Sequence, residues 1–174
     1  MRAHLAYLRY VLIHKFYVLW GGIRLGGIPL WQLIIHDSSK FSKAEWLPYV
    51  RQFYNADGSQ RKVRDATGAY DPSVQSAAFK AAWLHHWQNN AHHPQYWIVN
   101  YAVRGEKKHD VALPMPDVYI REMAIDWFAA GMAQGKPDCM AWYAAQKDKL
   151  VLHAETRIAV ERVLQEAKDK GIIP

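Results

Sequence analysis

The chain has 174 residues, of which 51% are hydrophobic and 22% charged, with a net charge of +6. Those totals exclude a disordered or fibrous chain and fit one globular domain large enough to bury a core. A single cysteine, Cys139, excludes an intrachain disulfide, and no run reaches the roughly 18 apolar residues of a membrane span.

Residues 3–20 carry two apolar stripes at helical spacing. Leu5, Leu8, Leu12, Phe16 and Leu19 form one; Tyr7, Val11, His14 and Val18 form the other. A helix apolar around so much of its girth is expected to be buried, with His14 inward and Lys15 reaching solvent. Gly21-Gly22 and Gly26-Gly27 read as brackets of a turn, and Pro29 as the opening of a second helix, PLWQLIIHD, that ends at His36-Asp37. Next, Ser42 and Glu45 have capping-box spacing, and Phe41 and Trp46 are placed as a hydrophobic staple. A third helix is therefore predicted from Lys43, bent or distorted by Pro48.

Residues 55–72, NADGSQRKVRDATGAYDP, are basic and poor in apolar side chains. They read as a mobile loop long enough for a lid or substrate-access role. Asp71-Pro72 caps a predicted fourth helix through SVQSAAFKAAWLHHWQNN, which Pro94 keeps from running past His93. YWIVNYAV and DVALP flank RGEKKH as a short hairpin near 96–114. Pro116 opens a fifth helix closed by Gly135, on which Asp126 shares an apolar face with Tyr119, Met123 and Ala130. Two more helices, about 138–149 and 154–169, finish the chain, with Gly171 as a stop. The expected class is all-α: one domain over 1–174, a bundle of six to seven helices with a small hairpin insert.

The inward polar residues can now be collected. They are His14, His36-Asp37, the pairs His85-His86 and His92-His93 inside WLHHWQNNAHHPQYW, and Asp126 on its apolar stripe. A buried carboxylate is costly without a cation or strong donors. Histidines and aspartates delivered from separate helices are how a bundle builds a metal site. Imidazole with carboxylate suits Zn, Fe, Mn or Co, and the lack of cysteine ligands argues against a structural zinc knuckle. Blander roles compete. His36 and Asp37 also suit a helix end, Glu45 suits a cap, Lys40 suits solvent, and most of the rings suit a core. His4, His109 and His153 lack convergent partners and read as structural or surface groups.

The order His14, His36-Asp37, Asp126 on successive helices resembles the HD-domain superfamily of metal-dependent phosphohydrolases. HDSSK matches the HDxxK form of several branches, with Lys40 in the lysine position. LHHW looks like the double-histidine element of the two-metal branches that cleave cyclic dinucleotides. The acidic, glycine-rich motif that follows it there is absent, and QNNAHHPQYW stands in its place, so that substrate is not carried over. From HKFYV through HDSSKFS, LHHWQNNAHHPQYW, MPDVYIREMAIDW and LHAET, the whole chain also looks like a small uncharacterised bacterial and phage family.

The expected cofactor is a divalent metal (Mn, Fe, Co, Zn or Mg, as one or two ions) on His14, His36, Asp37 and Asp126. At least one of His85 and His86 is expected on a second ion or on phosphate. The expected reaction is hydrolysis of a phosphoester, a nucleotide first, by attack of metal-activated hydroxide. Asp37, Lys40, His86, His92 and His93 are the expected catalytic groups, one of those three histidines protonating the leaving oxygen. Lys40, Arg61, Lys62 and Arg64 would hold phosphate, while Trp87, Tyr96 and Trp97 would face a base.

The positive charge suits an anionic small molecule, no nucleic-acid motif is visible, and a homo-oligomer is compatible with the sequence. YVLIHKFYVLW is broken by His14 and Lys15 with no cleavage site after it, so the expectation is a cytoplasmic chain without membrane association. Two other readings compete: an HD-type di-iron oxygenase using the same ligand order, and a metal-free basic module gripping nucleic acid.

Overall fold

The computed structural model describes residues 1–64, 72–101 and 109–174. It is mostly helical with one small antiparallel sheet, as the all-α class with a hairpin insert requires. The helices are α1 (Arg2–Leu25), α2 (Leu30–Ile35), α3 (Trp46–Phe53), α4 (Ala77–Asn89), α5 (Asp117–Ala133), α6 (Cys139–Gln146) and α7 (Ala154–Asp169). β1 (Ile98–Tyr101) pairs with β2 (His109–Ala112), in register from Ile98 opposite Ala112 to Tyr101 opposite His109.

The chain divides into two compact units. One holds Met1–Leu12 and Asp37–Asn89; the other holds Ile13–His36 and Asn90–Pro174. In the first, Tyr7, Val11, Tyr49, Val50, Phe79 and Ala82 form the core. In the second, Val18, Leu33, Ile125, Phe128, Val160 and Leu164 are among the core residues. On α7 the spacing Val160, Val163, Leu164, Ala167 buries one stripe. Arg121 of α5 reaches Glu166 of α7 with two N–H groups, at 3.2 and 2.9 Å, and holds its own Asp117 at 2.7 Å.

Several local expectations need correction. On α1 the stripe with Tyr7, Val11, His14 and Val18 is buried, but Leu5, Leu12 and Phe16 are exposed. Gly21 and Gly22 do not break the helix, because they are packing points. A Cβ on Gly21 would lie 3.2 Å from Ile125, and one on Gly22 only 2.4 Å from Leu33. The turn is made by Gly26 and Gly27, both at positive φ. Lys15 does not simply reach solvent: its ammonium donates to the carbonyls of Ile34 and His36, closing the end of α2.

Helix α3 starts at Trp46, not Lys43, after a 3-10 turn at Ser38–Phe41. Pro48 thus falls in the first turn, where its missing N–H would have had no intrahelical partner, and no bend is required. Glu45 makes no side-chain cap bond, although Phe41 and Trp46 do stack, 5.7 Å apart. The cap of α4 is the Ser76 hydroxyl, which accepts from the Phe79 N–H. Asp71, expected in that role, lies outside the described residues. So do residues 65–70 of the basic loop and most of RGEKKH.

Candidate metal centre

Three elements of the second unit deliver ligand-type atoms to one point. α1 supplies His14 from its buried stripe, and the residue closing α2 is His36. α5 supplies Glu122 and Asp126, four residues apart and so on one face. His14 Nε2 stands 3.2 Å from His36 Nε2 and 3.1 Å from Asp126 Oδ1, and His36 Nε2 is 3.4 Å from that oxygen. Donors bound at about 2.0–2.2 Å around one tetrahedral or octahedral ion stand roughly 3.0–3.5 Å from one another. The triangle has the size of a face of such a polyhedron, and all three residues are buried. The donor set fits a divalent ion.

Glu122 sets the orientation. Its Oε1 lies 2.8 Å from His36 Nδ1, and its Oε2 accepts from Gln32 Nε2 at 2.6 Å. A carboxylate only accepts, so His36 Nδ1 carries the hydrogen and Nε2 is the nitrogen left for an ion or a proton. His92 Nδ1 lies 3.5 Å from the same oxygen, and its ring is 4.4 Å from the His36 ring. Burial would raise the Asp126 carboxyl. Hydrogen bonds from His14 and His36, with the charge of His14 and His92, outweigh burial and hold it well below the usual carboxylate range. The same anion helps burial push the nearby Cys139 thiol up to about 12.

The first unit carries a second buried polar group. Asp37 takes the Lys40 ammonium on Oδ2, and its Oδ1 is 3.4 Å from His86 Nε2. His86 Nδ1 stands 2.9 Å from Glu45 Oε2, while His85 Nδ1 stands 2.7 Å from Glu45 Oε1. Burial acts to raise the Glu45 carboxyl, but hydrogen bonding and charge from His86, then bonds from His85 and Ser39, lower it overall. Asp37 alone among non-glycine described residues has positive φ, 56°. That is strain of the kind functional sites hold.

Of the expected site residues, His14, His36, Asp126 and His92 therefore meet in one unit, with the His93 ring 4.3 Å from His92. Asp37, Lys40, His85 and His86 meet in the other. Lys40, expected on phosphate, is buried against Asp37, and His85 faces Glu45. Arg61 and Lys62 are exposed, the former donating to the Arg51 carbonyl. Arg64 is half-buried. Trp87 lines a groove of about 390 Å³ with Gln75, Lys80 and Trp83. Trp97 donates to the Ala91 carbonyl and packs on Tyr119, with the half-exposed Tyr96 beside it. Glu122 and Gln32 escaped the sequence reading. One signal for Glu122 was available, its i, i+4 spacing from Asp126.

Among the described residues, no helix is long and apolar enough to cross a membrane. No curated protein and no solved structure matches the chain. A family model does match, over residues 3–166, in keeping with the end-to-end likeness seen in the sequence, and the chain belongs to that family, described as a family of unknown function (DUF5662).

Proposed function

We propose that the chain is a metal-dependent phosphohydrolase of HD type, acting on an anionic phosphoester with a nucleotide as the first substrate class. The observation that carries this reading is the buried triangle of His14, His36 and Asp126, with Glu122 fixing the His36 ring. These three side chains, all of one unit, would hold the ion. When bound, a divalent ion supplies Lewis acidity, making water acidic near neutral pH and drawing charge off a phosphoester.

The chain's own groups do the rest. Asp126, held ionised, offsets part of the ion's charge. His92 and His93, in the same unit as the triangle, are imidazoles with the two ring nitrogens needed to move a proton to the leaving oxygen. In the other unit Lys40 neutralises Asp37, and Arg61 and Lys62 are exposed cations suited to an anion there. In that unit the Trp87 indole, beside Lys80, lines a groove that offers an aromatic ring a stacking surface.

The test is metal analysis of freshly purified protein together with a nucleotide panel screened for released phosphate. About one divalent ion per chain, lost in His36→Ala along with phosphate release, is the expected result. A second reading has one observation in its favour: His36, His92 and Glu122 form another ion-sized group beside the first, as a di-iron oxygenase would need. Turnover that requires both iron and dioxygen would replace hydrolysis with that reading.

A further inference from the structure

In the second unit, α2 hides little of itself. Only Gln32 and Leu33 of its six residues are buried, whereas Leu30, Trp31, Ile34 and Ile35 are each more than half exposed. Beside it on α1, Phe16 and Ile23 are 60% and 59% exposed. Single apolar side chains scattered over a surface are ordinary; six on two adjoining helices are not.

The two sets form one face. α2 touches α1 at two points: Leu33 packs against Gly22, and the Lys15 ammonium meets the Ile34 carbonyl. On α1, Leu19 lies one turn from both Lys15 and Gly22, and one turn from both Phe16 and Ile23. The half-buried Leu19 therefore links the row beside α2 to the exposed row. An aromatic side chain buries about 150–250 Å² and an aliphatic one less, so six at these exposures present on the order of 600 Å². Leu19 and Trp20 at the margin bring the patch toward the roughly 800 Å² that each partner gives a standard interface.

The charge of the face says what covers it. Residues 13–35 hold no acid and two cations, and both cations are engaged. Lys15 closes the end of α2, and Arg24 lies over the Trp20 ring, 4.9 Å from its centre. A membrane surface calls for a free basic rim around an apolar patch, and these cations do not supply one. A second copy calls for the opposite. The chain carries +6, so its charged faces repel a copy of themselves, whereas an uncharged apolar face is complementary to itself across a twofold axis.

We infer that this face of α1 and α2 is the contact between two copies of the chain, an isologous dimer anchored by Trp31. The inference does not rest on the function proposed above, and the loss of either leaves the other standing.

The experiment is sedimentation equilibrium of the full chain at micromolar concentrations, where twice the chain mass of 20.1 kDa is expected. Trp31→Asp should weaken association at least about 30-fold, giving a monomer whose helical circular dichroism matches wild type. Ile158→Asp, at an exposed apolar position on α7, should leave the dimer intact. If Trp31→Asp does not fold, Ile34→Lys takes its place, since wild-type Ile34 is more than half exposed. A wild-type chain that stays monomeric at every concentration would overturn the inference, as would a dimer that survives both Trp31→Asp and Ile34→Lys. So would a monomer that binds phosphatidylglycerol–phosphatidylcholine vesicles through Trp31, which would give the face to a membrane instead.

Discussion

At the scale of single residues, orientation is what distinguishes this site from a chance cluster of polar groups. Glu122 makes no bond to the proposed ion, yet it decides which His36 nitrogen is available. Glu122→Gln is therefore expected to weaken Zn or Mn binding by about 10–100-fold while the fold persists, as read by isothermal titration calorimetry. Affinity within twofold of wild type would remove Glu122 from the account. Asp126 Oδ1 stands 3.1 and 3.4 Å from the Nε2 atoms of His14 and His36, so an ion entering the triangle must displace the protons shared among these three groups. Calorimetry in buffers of different ionisation enthalpy should then show proton release on metal uptake, with a binding enthalpy that changes with buffer. An enthalpy independent of buffer would contradict it.

At the scale of elements, α1 and α2 have to approach closely for His14 and His36 to meet, and Gly22 permits it. Gly22→Ala places a methyl against the buried Leu33 side chain, an overpacking that should cost about 1–3 kcal/mol in thermal or urea unfolding. The cost should shrink in a Leu33→Ala background, where there is room; equal costs in both backgrounds would show that the contact is not the cause. α5 and α7 are joined by the Arg121–Glu166 pair, with Lys170 also on Glu166. Those partners hold the Glu166 carboxyl down at about 2, from an ordinary value of 4.5. Because the folded value is the lower one, the stabilisation is fully present above about pH 4.5 and fades as pH falls toward 2. Solvent screening limits it to about 1 kcal/mol. Glu166→Gln should lower Tm at pH 7 and have little effect at pH 2, and an equal loss at both would refute the assignment.

At the scale of the whole molecule, what could be read in advance followed from patterns carried by one element at a time. The stripe holding His14, the hairpin from Ile98 to Ala112, and the stops at Gly135 and Gly171 are local periodicities or turn residues, and they survive folding. Asp126 was visible because a carboxylate on an apolar stripe demands an explanation. Glu45 was misread because its spacing from Ser42 satisfies a local rule, whereas its real donors lie 40 residues away on α4 and leave no trace near it. Gly21-Gly22 was misread for the same reason: a glycine pair means a turn unless another helix needs the space, and Leu33 and Ile125 need it. The exposed Leu5, Leu12 and Phe16 likewise follow from which stripe of α1 the rest of the chain covers.

The central claim is that His14, His36 and Asp126 hold one ion, and X-ray absorption at the metal edge of the loaded protein tests it most directly. The account predicts two imidazoles and at least one carboxylate oxygen at about 2.0–2.2 Å, with one imidazole lost in His14→Ala. A first shell without histidine, or one unchanged by His14→Ala, would contradict it.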